Sequence, residues 1–374
     1  MKLAVLKETA EAERRVAATP ETVRKFVALE AEVSVEAGAG LAASVADSDY
    51  ASAGAIVTAR DAALGGADIV LAVQAPDSPI EGASAGAMVA AMFDPFRRRD
   101  RVEAYAAAGL EALAMELMPR ITRAQSMDVL SSQANLAGYK AVLDAAAEYG
   151  RAFPMMMTAA GTIPAARIFV MGVGVAGLQA IATARRLGAV VSATDVRAAT
   201  REQIESLGAK AVFVEKVAGI EGEGAGGYAT EMSDEYKAAQ AELVSGHIAK
   251  QDIVITTALI PGRPAPRLIS DAQLASMRPG SVVVDLAVEQ GGNVEGSEPG
   301  RVAERHGVRI VGHRNVPSRL AADASALYGR NLYNFLSAFW DKEAGRPVLP
   351  DDDEIIRGVR LTQSGKIVHE RLLA

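Results

Sequence analysis

Short apolar runs alternate with helical segments along the first third of the chain. A helix is predicted over 20–29, because Thr19 is a good N-cap and Pro20 suits the first helical position. Strands that alternate with helices predict a parallel sheet with helices on both faces. No glycine fingerprint follows these strands, so this segment is predicted to be Rossmann-like without having to hold a cofactor. The predicted strands are 2–6, 32–36, 67–73, 86–92 and 109–115.

A second series of apolar runs extends from residue 166 to about 312. Its predicted strands are 168–171, 189–193, 211–214, 253–257, 281–285 and 309–311. Long helical periodicity without breakers predicts connecting helices at 131–149 and 321–340. The predicted fold class is α/β, with two Rossmann-like, doubly wound parallel-sheet domains joined by long helices and a cleft between them. The expected domains are 1–130 plus 316–374, which is discontinuous, and 131–315.

The second series opens with a glycine-rich turn. Residues 168–195 read IFVMGVGVAGLQAIATARRLGAVVSATD, in which strand, turn, helix and second strand are in register. Gly172 allows the turn, Gly174 lets the backbone approach a pyrophosphate, and Gly177 lets helix and strand pack closely. Free N–H groups at the helix start would bind that pyrophosphate. The turn therefore predicts a dinucleotide site formed by Gly172, Val173, Gly174, Val175, Ala176 and Gly177.

An acidic residue ends the second strand of this motif. Asp195 lies eighteen positions beyond Gly177, a spacing that suits a carboxylate receiving both ribose hydroxyls of an adenosine. This carboxylate would repel a 2′-phosphate, so NAD(H) is favoured over NADP(H). Arg197 is the contrary signal, because an arginine there could accept a 2′-phosphate, but we prefer to interpret it as a surface charge. With Val196, these residues form the predicted adenosine end of the site.

Composition excludes several classes of protein. The net charge of −7 and the pI near 5.4 argue against nucleic acid as a partner. There is no cysteine, hence no disulfide or thiolate chemistry, and no residue spacing indicates a metal site. The chain contains no run of about 18 uncharged apolar residues, so no membrane-spanning helix is expected, and the N-terminus is too short and too charged for a signal peptide. We expect a soluble, cytoplasmic protein.

A glycine-rich segment between residues 215 and 236 has two interpretations. It reads EKVAGIEGEGAGGYATEMSDEY, which favours neither a helix nor a strand. Loops of this length are usually functional or disordered. The segment is either a lid that closes over bound nucleotide, with Tyr228 at its tip, or a flexible insertion, and its composition does not separate the two.

Five segments carry a resemblance to a known family. They are MELMPRITRAQSMDVLSSQANLAGY (115–139), FPMMMTAAGTIPAARIFVMGVGVAGLQAIATARRLGA (153–189), GGYATEM (226–232), TTALIPGRPAP (256–266) and DLAVEQGGN (285–293). Their order along the chain and their residues resemble those of the NAD(H)-binding component of proton-translocating NAD(P) transhydrogenase. The similarity extends over nearly the whole chain, is most specific in the RAQSMD loop, and fades around 75–100 and near the C-terminus.

The resemblance implies a function. Such enzymes pass a hydride from NADH on this component to NADP⁺ on a separate NADP(H)-binding component, and a membrane-spanning component couples that step to proton translocation. Because the chain stops at Ala374 without membrane helices, it resembles the free-standing form of the subunit. The family also implies a homodimer that docks, through its partner subunits, on the inner face of the cell membrane.

The resemblance also implies residue roles. The motif positions that contact nicotinamide and its ribose are Arg120, Gln125, Asp128 and Ser131. An amide such as Gln125 can both donate to and accept from ribose hydroxyls. Tyr228 matches the tyrosine of the family's mobile loop. The loop that borders nicotinamide is matched by Thr257, Ala258, Leu259 and Pro261. Direct hydride transfer moves no proton, so we predict positioning groups and no acid–base residue.

Two alternatives remain. An alanine dehydrogenase shares the two-domain plan, but its reaction needs cations for a carboxylate and a proton donor. Arg15 matches the arginine of that family, but Ala72 stands where that family has a lysine. That family's histidine, which follows the lysine, has no counterpart, because the first histidine of this chain is His247. Glu289 replaces that family's aspartate. Arg15 is then most simply a structural remnant. The other alternative is a non-catalytic NAD(H) sensor, which would not need the 120–131 loop to bind adenosine.

Overall fold

The computed structural model describes residues 1–78, 80–214, 233–260 and 263–373. The chain forms two compact units, one of Met1–Gln133 with Pro317–Ala374 and the other of Ala134–Val316. The first unit is therefore discontinuous in sequence. Each unit contains its own sheet and its own apolar clusters.

The first unit is built on a six-stranded parallel sheet. Its strands are β1 (Lys2–Val5), β2 (Glu32–Glu36), β3 (Ile56–Thr58), β4 (Ile69–Gln74), β5 (Met88–Met92) and β6 (Glu111–Ala114). Their order in the sheet is β3-β2-β1-β4-β5-β6. Its first helices are α1 (Pro20–Val27), α2 (Asp47–Ser52), α3 (Arg60–Leu64), α4 (Arg99–Ala107) and α5 (Val129–Glu148), the last of which continues into the second unit. This strand order is that of a doubly wound Rossmann sheet, which confirms the predicted fold class.

Alternation along the strands explains the two layers of helices. In β1, Leu3 and Val5 join one apolar cluster, while Ala4 joins the cluster on the other face. In β4, Leu71 belongs to the first cluster and Val70 to the second. Every one of these side chains is buried, so both faces of the sheet require a cover, as is typical of parallel sheets.

The second unit has a seven-stranded sheet. A separate hairpin, β7 (Met156–Thr158) and β8 (Gly161–Ile163), precedes it. The sheet strands are β9 (Arg167–Met171), β10 (Val190–Thr194), β11 (Lys210–Ala211), β12 (Ile253–Thr256), β13 (Val282–Asp285), β14 (Arg301–Arg305) and β15 (Val308–Gly312). Their order in the sheet is β11-β10-β9-β12-β13-β15-β14. The helices are α6 (Val175–Arg186), α7 (Thr200–Ser206), α8 (Asp234–Ile248) and α9 (Asp271–Ala275).

One strand of this sheet departs from the parallel arrangement expected from the sequence. The edge strand β14 pairs antiparallel with β15. The two are joined through His306 and Gly307, whose φ angles of 53° and 74° are those of a tight hairpin turn. A two-residue turn can connect only antiparallel strands. The exposed, charged sequence of β14 suits an unprotected sheet edge.

The C-terminal segment returns to the first unit. It contains α10 (Ala321–Ala338), β16 (Trp340–Asp341), β17 (Arg346–Pro347), α11 (Glu354–Val359), β18 (Thr362–Gln363), β19 (Lys366–Ile367) and α12 (Glu370–Leu373). Leu361 donates its backbone N–H to the carbonyl of Ala112, and the Thr362 hydroxyl donates to the carbonyl of Leu110. These bonds extend the β6 edge of the sheet. Among the helices that the structure describes, none is both long and apolar enough to cross a membrane.

Candidate nucleotide-binding site

The glycine-rich turn lies where the strand order of the second sheet reverses. Strand β9 is flanked by β10 on one side and β12 on the other, so a crevice opens at its carboxyl end. Gly172 has a φ of 97°, a conformation that glycine adopts without strain. A Cβ atom on Gly177 would lie 2.0 Å from the Gly172 carbonyl oxygen. Two of the three glycines are therefore required by the protein's own packing.

Gly174 has a different environment. No described atom outside its chain neighbours lies within 4 Å of the position that its Cβ would take. It caps α6, whose first turn contains Val175, Ala176 and Gly177, and the first N–H groups of a helix have no partner within it. Open space beside unpaired N–H groups at a helix start fits a pyrophosphate. The residues present thus suit the phosphate portion of a dinucleotide.

Asp195 lies directly beside this turn and is 7% exposed. Its Oδ2 accepts the backbone N–H of Val173 at 2.6 Å, and its Oδ1 accepts the backbone N–H of Arg197 at 2.9 Å. Burial by itself would raise the pKa of Asp195, but the hydrogen bonds from Arg197 and Val173 outweigh it and hold the pKa below its usual value. The group is therefore a carboxylate at neutral pH.

Arg197 is not the solvated surface charge that the sequence favoured. Its Nε lies 2.9 Å from Asp195 Oδ1 and its Nη2 lies 3.0 Å from Oδ2, so the guanidinium binds the carboxylate through two bonds. Val196, between the two, is half-buried. Two backbone N–H groups and two guanidinium N–H groups occupy the four acceptor positions of the carboxylate. Ribose hydroxyls can reach Asp195 only when the Arg197 side chain moves aside.

This pair gives a prediction about nucleotide preference. Asp195→Asn should reduce the preference for NADH over NADPH by about tenfold, since it removes a repulsive charge and releases Arg197 to pair with a 2′-phosphate. Fluorescence titration with both nucleotides measures the ratio. The double variant D195N/R197Q is the control, and it should recover part of the preference for NADH. Equal changes in both affinities would contradict the specificity role of Asp195.

The loop after β12 closes the turn from the other side. The Thr257 hydroxyl donates to the Gly172 carbonyl at 2.9 Å, and its backbone N–H donates to Met171. Ala258 is held by Asn293, whose Oδ1 accepts the Ala258 N–H at 3.1 Å and whose Nδ2 donates to the Ala258 carbonyl at 2.9 Å. Leu259 is exposed. The structure thus brings Thr257 and Ala258 together with the glycine turn.

Asn293 and Asp285 are supporting residues that the sequence analysis missed. Both are fully buried, and Asp285 accepts the backbone N–H groups of Ala287, Asn293 and Val294. Asp285 thereby fixes the DLAVEQGGN turn, which in turn holds Asn293 against Ala258. The sequence does contain a signal for this turn, because Asp285 ends an apolar strand and is followed by two glycines, a pattern typical of a structured turn.

In the first unit, the RAQSMD loop forms a 3₁₀ turn at Thr122–Met127, directly before α5. Ala124 and Met127 share one face of this turn and are buried in the core, whereas Gln125 between them is exposed. The apolar pair therefore anchors the loop and leaves the Gln125 amide available. Arg120, just before the turn, is also exposed.

Asp128 and Ser131 bond to each other. Asp128 Oδ1 accepts the backbone N–H of Ser131 at 2.9 Å and its Oδ2 accepts the Ser131 hydroxyl at 2.5 Å. These are the bonds of a helix N-cap, which satisfies an N–H group at the start of α5. Asp128 also donates its backbone N–H to the Gln125 carbonyl at 3.4 Å, which links the 3₁₀ turn to the start of α5. Tyr228 and Pro261 lie outside the described residues, as does most of the proposed lid segment.

In the first sheet, the carboxyl ends of the central strands β1 and β4 are occupied by carboxyl side chains of the protein itself. Glu8 follows β1 and accepts the backbone N–H groups of Val73 at 2.6 Å and Gln74 at 3.2 Å, both at the end of β4. Burial raises the pKa of Glu8 to about 7. Arg15 is bound by Glu13, with N–O distances of 2.8 and 2.6 Å. This pairing agrees with a structural role for Arg15.

A second buried carboxyl group in the first unit gives a prediction for pH-dependent stability. Glu116 accepts the backbone N–H groups of Phe93 and Asp94 through Oε1, and among the described residues its buried Oε2 has no partner. Burial raises the pKa of Glu116 from 4.5 to about 7. The folded protein therefore holds this proton more tightly than the unfolded chain does. The resulting stability is fully present below pH 4.5 and is lost as the pH rises through 7.

Glu116→Gln keeps the shape of the side chain and removes the titration. We expect the variant and the parent to have similar unfolding free energies at pH 5, and the variant to be more stable by about 2–3 kcal/mol at pH 8. Urea denaturation at the two pH values measures the difference. Glu81→Gln, at an exposed position, is the control and should show no such divergence. Parallel pH profiles for E116Q and the parent would contradict the assignment.

No group of three or more histidine, cysteine, aspartate or glutamate side chains suited to a metal ion occurs in the portion of the chain that the structure describes. The carboxylates and amide described above bind backbone groups instead, as Asp195, Asp285 and Asn293 do in the second unit and Asp128 does in the first.

Comparison with known proteins decides the family. Two profiles of the alanine dehydrogenase/PNT family match the chain, the N-terminal domain at residues 4–137 and the C-terminal domain at 141–370. An NAD(P) transhydrogenase alpha-subunit protein of Rhodospirillum rubrum is 55% identical over 379 residues, which cover 100% of this chain and 99% of that protein. The chain belongs to the NAD(P) transhydrogenase alpha-subunit family.

Solved structures and more distant relatives agree with this placement. The crystal structure of transhydrogenase from Sinorhizobium meliloti matches with a TM-score of 0.90 and 56% identity, over 98% of this chain and 100% of that one. Alanine dehydrogenase of Mycobacterium tuberculosis is 29% identical over 80% of this chain and 76% of that protein. The identity is therefore much higher to the transhydrogenase branch of the family than to the dehydrogenase branch.

Proposed function

We propose that this chain is the NAD(H)-binding subunit of a proton-translocating NAD(P) transhydrogenase (Re/Si-specific), and that it passes a hydride directly to NADP⁺ on a partner component. The observation that supports binding of NAD(H) is the buried Asp195 carboxylate beside the open Gly174 turn. Together they offer an anion-binding helix start and, once the Arg197 side chain moves aside, a ribose acceptor that disfavours a 2′-phosphate. NADH, when bound, supplies the hydride.

The residues of the chain would act by orientation alone. Gly174 and the start of α6 hold the pyrophosphate, Asp195 holds the adenosine ribose, and Thr257 and Ala258 border the nicotinamide end. The nicotinamide and its ribose are oriented by Arg120, Gln125, Asp128 and Ser131. Because hydride transfer needs no proton at the reacting carbon, a set of side chains without an acid or a base is sufficient.

The experiment is a hydride-transfer assay on the purified chain, alone and mixed with an NADP(H)-binding transhydrogenase component. Transfer between an NAD⁺ analogue and NADPH in the mixture, and none from either protein alone, supports the proposal. Oxidation of NADH by the chain alone in the presence of pyruvate and ammonium would establish an alanine dehydrogenase instead. Binding of NADH without transfer in any mixture would favour a sensor.

We also propose that the subunit is a homodimer that docks on the cytoplasmic face of the membrane through its NADP(H)-binding and membrane-spanning partners, the latter coupling transfer to proton translocation. The hairpin β7–β8 supports the dimer, because Met155, just before it, and Met157, within it, are 62% and 80% exposed. Neighbouring exposed methionines are typical of a surface that binds protein. A second copy of this chain is the partner that we assign to it.

Met157→Asp should therefore yield monomers at micromolar concentration, since a charge placed in a buried apolar contact costs several kcal/mol. Sedimentation velocity gives the mass. Leu41→Asp, at another exposed apolar position, is the control and should leave the dimer intact. A dimer that persists in M157D would exclude the hairpin as its contact.

A further inference from the structure

The loop that carries Gln125 is tied to helix α10 by a buried amide. Asn331 is 7% exposed, and its Nδ2 donates to the backbone carbonyl of Ser126 at 2.8 Å. Its Oδ1 accepts the hydroxyl of Ser132 at 2.7 Å. Ser126 follows Gln125 in the chain, and Ser132 follows Ser131. The single amide group of Asn331 thus bonds the residues that directly follow Gln125 and Ser131.

This bridge adds a tertiary restraint to a spacing that the local bonds hold only weakly. Asp128 gives a local link, because its backbone N–H donates to the Gln125 carbonyl at 3.4 Å while its carboxylate accepts from Ser131 at 2.9 and 2.5 Å. The 3.4 Å contact is long for a hydrogen bond, so it holds the 3₁₀ turn weakly. A shift of either segment would leave the Asn331 amide, which is 7% exposed, without one of its partners, so the bridge favours a single arrangement. Asn331 is therefore the side chain from outside this segment that bonds the residues directly after Gln125 and Ser131.

Further bonds make the bridge rigid. Gln133, which is 5% exposed, donates to the carbonyl of Ala324 on α10 at 3.2 Å and accepts from Arg15 at 2.9 Å. Asn334 donates to the same Ser126 carbonyl as Asn331, at 3.0 Å. Helix α10 therefore holds the loop and the first turn of α5 at three positions. Asn331 is the one among them that contacts both segments.

We propose that Asn331 is a positioning residue for hydride transfer, which sets the distance between Gln125 and Ser131 and so orients the nicotinamide end of NAD(H). This inference rests on the proposed function. Asn331 touches neither nucleotide nor reacting atoms, and it acts through the Ser126 carbonyl and the Ser132 hydroxyl.

Variants of Asn331 test the proposal through the separation of rate from affinity. Asn331→Asp keeps the acceptor for Ser132 and loses the donor to Ser126, and Asn331→Ser is the smaller, uncharged second variant. With the NADP(H)-binding component present, we expect the hydride-transfer rate at saturating NADH to fall by about tenfold or more. The dissociation constant of NADH from the subunit should stay within about twofold of the parent value. Ser132→Ala, which removes the other bond, should give an intermediate rate.

Arg330→Gln is the matched control, because Arg330 is next to Asn331 on α10 but pairs with Glu21 at the surface. Its transfer rate and melting temperature should equal those of the parent. A merely structural role for Asn331 would lower melting temperature and NADH affinity together with the rate, and that result overturns the proposal. An unchanged hydride-transfer rate in a folded N331S would also overturn the proposal. Failure of the parent protein to transfer hydride in the mixture would instead refute the proposed function.

Discussion

Replacing Gly177 by alanine is expected to destabilise the second unit and abolish NADH binding at the same time. The new Cβ would lie 2.0 Å from the Gly172 carbonyl oxygen and 2.9 Å from the carbonyl carbon, and backbone atoms cannot rotate away as a side chain can. Strand β9 and helix α6 must then separate, which displaces the turn between them. Overpacking of this kind costs about 1–3 kcal/mol or more. Thermal unfolding and fluorescence titration with NADH measure the two losses.

Gly174→Ala is the matched comparison, since it makes the same chemical change in the same turn but away from the packing contact. No described atom lies within 4 Å of its Cβ position, and its φ of −77° suits alanine. We therefore expect G174A to keep the melting temperature of the parent. Its affinity for NADH should fall by about tenfold or more, because the added methyl group stands where the pyrophosphate would approach. Unchanged affinity in a folded G174A would contradict the placement of the pyrophosphate.

Gln125→Asn is expected to slow hydride transfer by about 100-fold and to change the dissociation constant of NADH by less than about threefold. The substitution keeps the amide and withdraws it by one methylene group from the exposed 3₁₀ turn. The turn itself should persist, because Ala124 and Met127 anchor it in the core. Stopped-flow transfer rates with the NADP(H)-binding component, compared with NADH titration of the subunit alone, separate positioning from binding.

Gln363→Asn provides the control for this change. Gln363 also belongs to the first unit, and its amide bonds Asp351 near the surface. It should leave both the rate and the affinity at parent values. If Q125N lowered rate and affinity by the same factor, Gln125 would contribute uniform binding rather than orientation.

The sequence predicts those features of the fold that are encoded locally. Alternating strands and helices, and the register of the glycine turn with Asp195, depend on residues close together in the chain. The helix at 20–29 is confirmed as Pro20–Val27 with Thr19 as its N-cap. The short elements were missed, for example Ile56–Thr58, because three residues that are not fully buried give too little apolar periodicity to recognise.

Contacts between distant residues explain the other differences. Asn293 bonds Ala258 across 35 positions of sequence, and Asn331 bonds Ser126 across 205, so neither pair leaves a spacing that can be read from the chain. Arg197 and Asp195 are close in sequence, but their ion pair depends on the burial of the carboxylate. The RAQSMD residues were identified by resemblance, and their roles stay predictions.

The Glu8 carboxylate has a consequence for how many nucleotides each chain takes up. It bonds the N–H groups of Val73 and Gln74 at the reversal point of the first sheet, the place where such sheets bind their ligands. A side chain of the protein already satisfies the backbone donors that a second phosphate or carboxylate would need. The two halves are alike in topology but unequal as receptors, and calorimetric titration should saturate at one equivalent of NADH per chain.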